Sequence, residues 1–130
     1  MKRILLVDDE QALTCAAAEM LVRADPGIEV HTASNGLMAL QIICFISFDL
    51  IVTDIAMPTM NGFELIEALN VGYPEIPVIV WAAYWTPEIK NKCLEMGIAS
   101  FEELPFDEDY FYHKVRAILD FSEHPSNISR

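Results

Sequence analysis

Two adjacent aspartates, Asp8 and Asp9, follow the apolar run Ile4-Leu5-Leu6-Val7, and a third, Asp54, follows Leu50-Ile51-Val52-Thr53. Short runs rich in Leu and β-branched residues read as strands covered on both faces. If those strands are neighbours, three carboxylates converge at one sheet edge. Two unit charges ~4 Å apart repel by about 4 kcal/mol at an effective dielectric of ~20. Such a cluster calls for a cation, and hard oxygen donors suit a divalent metal ion. One aspartate at a strand end is explained by helix capping or by water. Three at two adjacent strand ends are not.

The elements that position these acids alternate along the chain, without repeats or low-complexity stretches. Strands are expected over 4–7, 28–33, 50–53, 77–83 and 100–104. Between them, apolar residues at helical spacing predict a helix over 11–24, with Leu13, Ala16, Ala17, Met20 and Leu21 on its inner face. Further helices are expected from the Ser34-Asn35-Gly36 cap to about Ile46, over 63–70, from Thr86-Pro87-Glu88 to Met96, and from an Asp107 cap to Phe121. In the last one Phe111, Val115 and Ile118 face inward. Five strands alternating with five helices mean an α/β, doubly wound parallel sheet. Ligands in such sheets bind at the carboxyl ends of the strands, where the three acids stand. One domain over residues 1–121 is expected, followed by a polar tail or linker stub over 122–130.

Composition narrows the partners. Twenty acidic residues against 8 Lys and Arg give a net charge of −12 and a pI near 4.4. Nucleic-acid affinity depends on cations that neutralise phosphates, and anionic membrane surfaces repel such a chain, so neither is an expected partner. The basic start is followed by only four apolar residues before the acids, too few for a signal peptide. Cys15, Cys44 and Cys93 are odd in number, far apart and set in apolar helical patterns, so inert buried thiols and a cytoplasmic location are expected. His31, His113 and His124 stand apart from the acids and are expected neither to ligate a metal nor to act in catalysis.

The segments Ile4-Leu5-Leu6-Val7-Asp8-Asp9-Glu10 and Ile51-Val52-Thr53-Asp54-Ile55-Ala56-Met57-Pro58-Thr59-Met60-Asn61-Gly62 together resemble the receiver domains of two-component response regulators. The second segment, with its D-x-x-M-P-x-M-x-G spacing, is the more specific. Pro77-Val78-Ile79-Val80, Gly97 and Leu104-Pro105-Phe106 fall in register with it, so the resemblance covers Lys2 to about Phe121. It implies a flavodoxin-like (βα)5 fold with strand order 2-1-3-4-5. It implies Asp54 as phosphoacceptor and Mg2+ held by Asp8, Asp9, Asp54 and the carbonyl of Ala56. A histidine kinase or phosphotransfer protein would supply the phosphoryl group, and a separate output protein would read it. It also places a cis peptide at Leu104–Pro105.

Two positions depart from that pattern. Ala82 stands where the family has Ser or Thr, and Leu104 where it has Lys, so a hydroxyl and an ammonium that would contact the phosphoryl group are missing. Lys114, well along the last helix, and Lys2 and Arg3, at the far end of the first strand, do not replace them. Phe101 keeps the aromatic switch position without a hydroxyl. An alternative function follows: a pseudo-receiver that binds proteins without productive phosphoryl switching. An enzyme is not expected, because the sequence lacks both a flavin-phosphate loop and a D-x-D phosphatase pair. Tyr84, Trp85, Tyr110 and Tyr112 cannot all share the inner stripe of the last helix. They are read as a surface for a partner or for a second copy in a homodimer.

Overall fold

A computed structural model describes residues 1–123, with side chains described through Phe121. Residues 124–130, which include His124 and most of the expected tail, lie outside the described residues. The chain order is β1 (Lys2–Val7), α1 (Gln11–Ala24), β2 (Ile28–Ala33), α2 (Gly36–Ile43), β3 (Leu50–Thr53), α3 (Gly62–Gly72), β4 (Val78–Ala82), α4 (Pro87–Glu95), β5 (Ser100–Glu103) and α5 (Glu108–Glu123). All strand pairs are parallel, in the order β2-β1-β3-β4-β5. The doubly wound parallel sheet is the one expected from the alternation, and its strand order is the flavodoxin-like one that the resemblance implies.

Strand alternation splits the core in two. Ile4 and Leu6 point to one face, where α1 and α5 cover them with Ala17, Leu21, Phe111, Val115 and Leu119. Leu5 and Val7 point to the other, under Ala39 and Ile43 of α2, Leu65 and Leu69 of α3 and Cys93 of α4. The Leu, Ile, Val and Phe side chains among these each contribute about 1.5–3 kcal/mol when fully buried. The caps follow the sequence: Asn35 accepts the N–H of Met38, Thr86 that of Ile89, and Asn61 forms a capping box with Glu64. No helix among the described residues is long and apolar enough to cross a membrane.

Several expectations need correction. Cys15 and Cys44 are exposed, and only Cys93 is buried. On α1 the inner stripe runs through Thr14, Ala17, Met20 and Leu21, which turns Cys15 and Ala16 outward. Helix α2 stops at Ile43 because the chain turns there to bring Phe48 into the core and Asp49 onto the N–H of Arg3 at 2.8 Å. On α5 the fully buried third residue is Leu119, and Ile118 is only half-buried. Helix α5 ends at Glu123, close to the expected end at about Phe121.

Candidate functional site

Register brings the three aspartates together. Val7 is aligned with Thr53, and the Asp54 N–H donates to the Val7 carbonyl at 3.0 Å. The next residues on both strands therefore leave the sheet side by side. Carboxylate oxygens of Asp8, Asp9 and Asp54 all lie within 4.8 Å of one another. Asp9 is exposed, Asp54 half-buried and Asp8 only 4% exposed.

Burial and like charge dominate the electrostatics. Burial, then the charges of Asp54, Asp9 and Glu10, push the Asp8 carboxyl up to about 6, against a hydrogen bond from the Glu10 N–H at 2.9 Å. Asp54 is raised as well, mainly by burial and also by Asp9 and Glu10. The N–H groups of Ile55, 2.7 Å from Asp54 Oδ1, and of Ala56 oppose that rise. Asp8 and Asp54, both raised, stand with the exposed Asp9 as an oxygen donor set suited to a hard divalent cation such as Mg2+.

The loop after Asp54 is built to hold that residue outward. The Gly62 N–H closes it on the Ile55 carbonyl at 2.8 Å, and the Thr53 hydroxyl donates to the Asp54 carbonyl at 2.9 Å. A Cβ on Gly62 would fall 2.1 Å from that same carbonyl oxygen, so only glycine permits the approach. Thr59 takes a left-handed backbone with φ of 69°, and the Met60 carbonyl accepts the Gly36 N–H at 3.0 Å. That last bond ties the β2–α2 loop to the loop that carries exposed Ala56.

Elsewhere the placement is mixed. Ala82 is buried at the end of β4, and its carbonyl accepts the Leu104 N–H at 2.9 Å. Leu104 packs against the core under α5, and the Leu104–Pro105 peptide is cis. Phe101 lies on the opposite face, edge-on to Trp85 with ring centres 5.1 Å apart. Tyr84 and Tyr110 project outward, at 78% and 61% exposure. Trp85 is half-buried and donates its indole N–H to the Glu102 carbonyl at 3.3 Å, and Tyr112 packs on the core.

The sequence reading missed where Lys114 goes. Its ammonium lies 2.9 Å from the buried Glu102 carboxylate, donates to the Phe101 carbonyl, and sits 4.7 Å from the centre of the Tyr110 ring. This pair joins residues twelve apart on different elements, so no local spacing announces it. Lys114 is therefore held on the α5 side of β5, away from the three aspartates.

Known proteins resemble this chain in sequence and fold. The family model described as response regulator receiver domain matches residues 4–116. Sporulation initiation phosphotransferase F of Bacillus subtilis is 30% identical over 91% of this chain and 94% of its own. The probable transcriptional regulator ycf29 of Pyropia yezoensis is 37% identical over 81% of this chain but only 47% of its own. CpxR of Escherichia coli, a transcriptional regulatory protein, is 34% identical over 92% of this chain and 50% of its own. The chain thus spans about half the length of several curated relatives that it matches. Among solved structures, a CheY-like receiver domain protein from Methanospirillum hungatei superposes with a TM-score of 0.89 at 29% identity, over 96% of this chain and 98% of that one.

Proposed function

The chain belongs to the response regulator receiver domain family of two-component signalling, and from that premise we propose that Asp54 accepts a phosphoryl group from a histidine kinase or a phosphotransfer protein. The observation that carries the reading is the convergence of three carboxylate groups within 4.8 Å at the end of β1 and β3. An Asp54 oxygen attacks the phosphorus of a phosphohistidine, the P–N bond breaks, its electron pair leaves with the imidazole, and an acyl phosphate remains. Asp8, Asp9, Asp54 and the Ala56 backbone are the groups that would hold Mg2+. When bound, the ion supplies neutralisation of phosphoryl charge.

The chain's own residues do the positioning. The Ile55 N–H orients the Asp54 carboxylate at 2.7 Å, and the Glu10 N–H fixes one oxygen of Asp8 at 2.9 Å, leaving the other for the cation. Ala82 and Leu104 give the phosphoryl group neither a hydroxyl nor an ammonium, which puts more of the charge balance on the metal ligands. We read the protein as a cytoplasmic, Mg2+-dependent phosphoprotein that signals rather than turns over a substrate. Its output passes to a separate protein, or a homodimer partner, through the sector that carries Tyr84 and Tyr110.

Treatment with acetyl phosphate and Mg2+, read by intact mass, tests the assignment. One phosphoryl adduct is expected on the wild type, none on Asp54→Asn, and little on Asp9→Asn. An adduct that persists in Asp54→Asn, or none on the wild type at any Mg2+ concentration, overturns it.

A further inference from the structure

At the pole of the sheet opposite the aspartates, a cleft of about 310 Å3 opens between the ends of α2 and α3 and the starts of β3 and β4. Ile43, Ile46, Phe48, Tyr73, Ile76 and Pro77 give it an apolar lining. Its volume reaches the lower end of the range, roughly 300–1,000 Å3, in which sites for ligands and inserted side chains are found. Phe45, next in the chain to Ile46, is 89% exposed, and Val71, two residues before Tyr73, is 84% exposed.

The charge around the cleft says what kind of molecule. The polar part of the lining includes Asp49 and Glu75 and no lysine, arginine or histidine. Two helices, α2 and α3, end at the cleft, and a helix C-terminus carries about half a negative charge. Helices α1 and α4 place Arg23 and Lys92 in their last turns, but α2 and α3 have no basic residue there. The cleft therefore joins an apolar floor to the exposed Glu75, to Asp49, one of whose oxygens already accepts the Arg3 N–H, and to two helix ends that their own last turns leave uncompensated. A second copy of this chain, at a net charge of −12, fits it poorly.

We propose that this cleft docks a basic, apolar peptide segment of a partner protein, with an aliphatic side chain in the cleft and a lysine or arginine against Asp49, Glu75 and the ends of α2 and α3. The site lies five residues along β3 from Asp54, roughly 16 Å at ~3.3 Å per residue. It is separate from the phosphoryl chemistry and does not depend on it.

Amide chemical shifts should be followed while a capped hexapeptide of alternating leucine and arginine is added, with Mg2+ present to occupy the aspartates. A glutamate-for-arginine version of the peptide serves as the comparison. The arginine peptide is expected to shift Phe45, Tyr73 and Ile76, and the glutamate peptide to bind at least tenfold more weakly. Glu75→Lys and Phe45→Ser, both on exposed side chains that leave the core intact, should each weaken the arginine peptide about tenfold. The proposal is overturned by shifts confined to the surroundings of Asp8 and Asp54, by equal binding of the two peptides, or by unchanged binding to Glu75→Lys. Concentration-dependent shifts at Phe45 without peptide would assign the cleft to a second copy and overturn it equally.

Discussion

Replacing Gly62 with alanine should damage the fold and the site together. The added Cβ would lie 2.1 Å from the Asp54 carbonyl oxygen, 2.9 Å from Ile55 Cα and 3.0 Å from the Asp54 carbonyl carbon. All three are backbone atoms, so no side-chain rotation relieves the contact. Restoring an ordinary separation requires the end of β3 and the start of α3 to part by about 1 Å. The same movement stretches the Gly62–Ile55 hydrogen bond, now 2.8 Å, beyond useful length. Overpacking costs roughly 1–3 kcal/mol and the lost bond about 1 kcal/mol, so the sum is about 2–4 kcal/mol. For a chain of this size each kcal/mol moves Tm by about 3–5 °C, so a fall of roughly 6–20 °C is expected. Gly72 provides the control. It closes the same helix, a Cβ there meets nothing within 4 Å, and alanine should leave Tm equal or slightly higher. Calorimetric melting of both variants decides the matter, with the Asp54 amide shift as a local reporter. A Gly62→Ala protein that melts within about 2 °C of wild type, with Asp54 unmoved, would refute the steric reasoning.

Asp8 makes stability pH-dependent: its carboxyl is raised from 3.8 to about 6, so between those values the folded state binds more protons than the unfolded. Stability should thus fall as pH rises through that window and level off above it. Asp8→Asn, compared in chelator, should remove at most about 3 kcal/mol of that loss, and denaturant curves at pH 4 and 7 that differ equally for both proteins would contradict the assignment. Thr59→Gly should raise Tm by a few degrees, because a β-branched residue at φ of 69° costs roughly 1 kcal/mol or more, and an unchanged or lower Tm would show that no strain is held there. Ala82→Thr with Leu104→Lys should enlarge the amide shifts that beryllofluoride and Mg2+ produce around Tyr84 and Phe101, since a ligand moves an equilibrium only through contacts that differ between states. Equal shifts in wild type and double variant would mean that switching runs through other residues.

The parts of this molecule legible in the sequence are those fixed by local chemistry. β2, β3 and α1 begin and end where Gly, Pro and Asp punctuate the chain, whereas the pairing of β1 with β3 follows from the resemblance to receiver domains and has no local signal. The acid cluster was legible because each member sits directly past a buried strand. Where the local pattern is apolar all round, it misleads: Leu13, Cys15, Ala16 and Ala18 look alike as helix-face residues, and only packing turns Cys15 outward. Ile42 to Ile46 could continue a helix, but Phe48 and Asp49 have tertiary partners that end it early. The Lys114–Glu102 pair and the cleft beside Tyr73 have no local signature, because each exists only after separate elements meet.

The division of the core into two layers has a consequence for synthesis. The layer under α2, α3 and α4 is complete once Phe101 of β5 is in place, whereas the layer under α1 takes Phe111, Val115 and Leu119 from α5. During vectorial synthesis Ile4, Leu6, Leu21 and Trp81 must therefore wait, with their shared face bare, until nearly the whole domain has emerged. A nascent chain stalled before Val115 presents a finished side and a sticky one. The last helix thus decides when that face of the sheet stops being exposed.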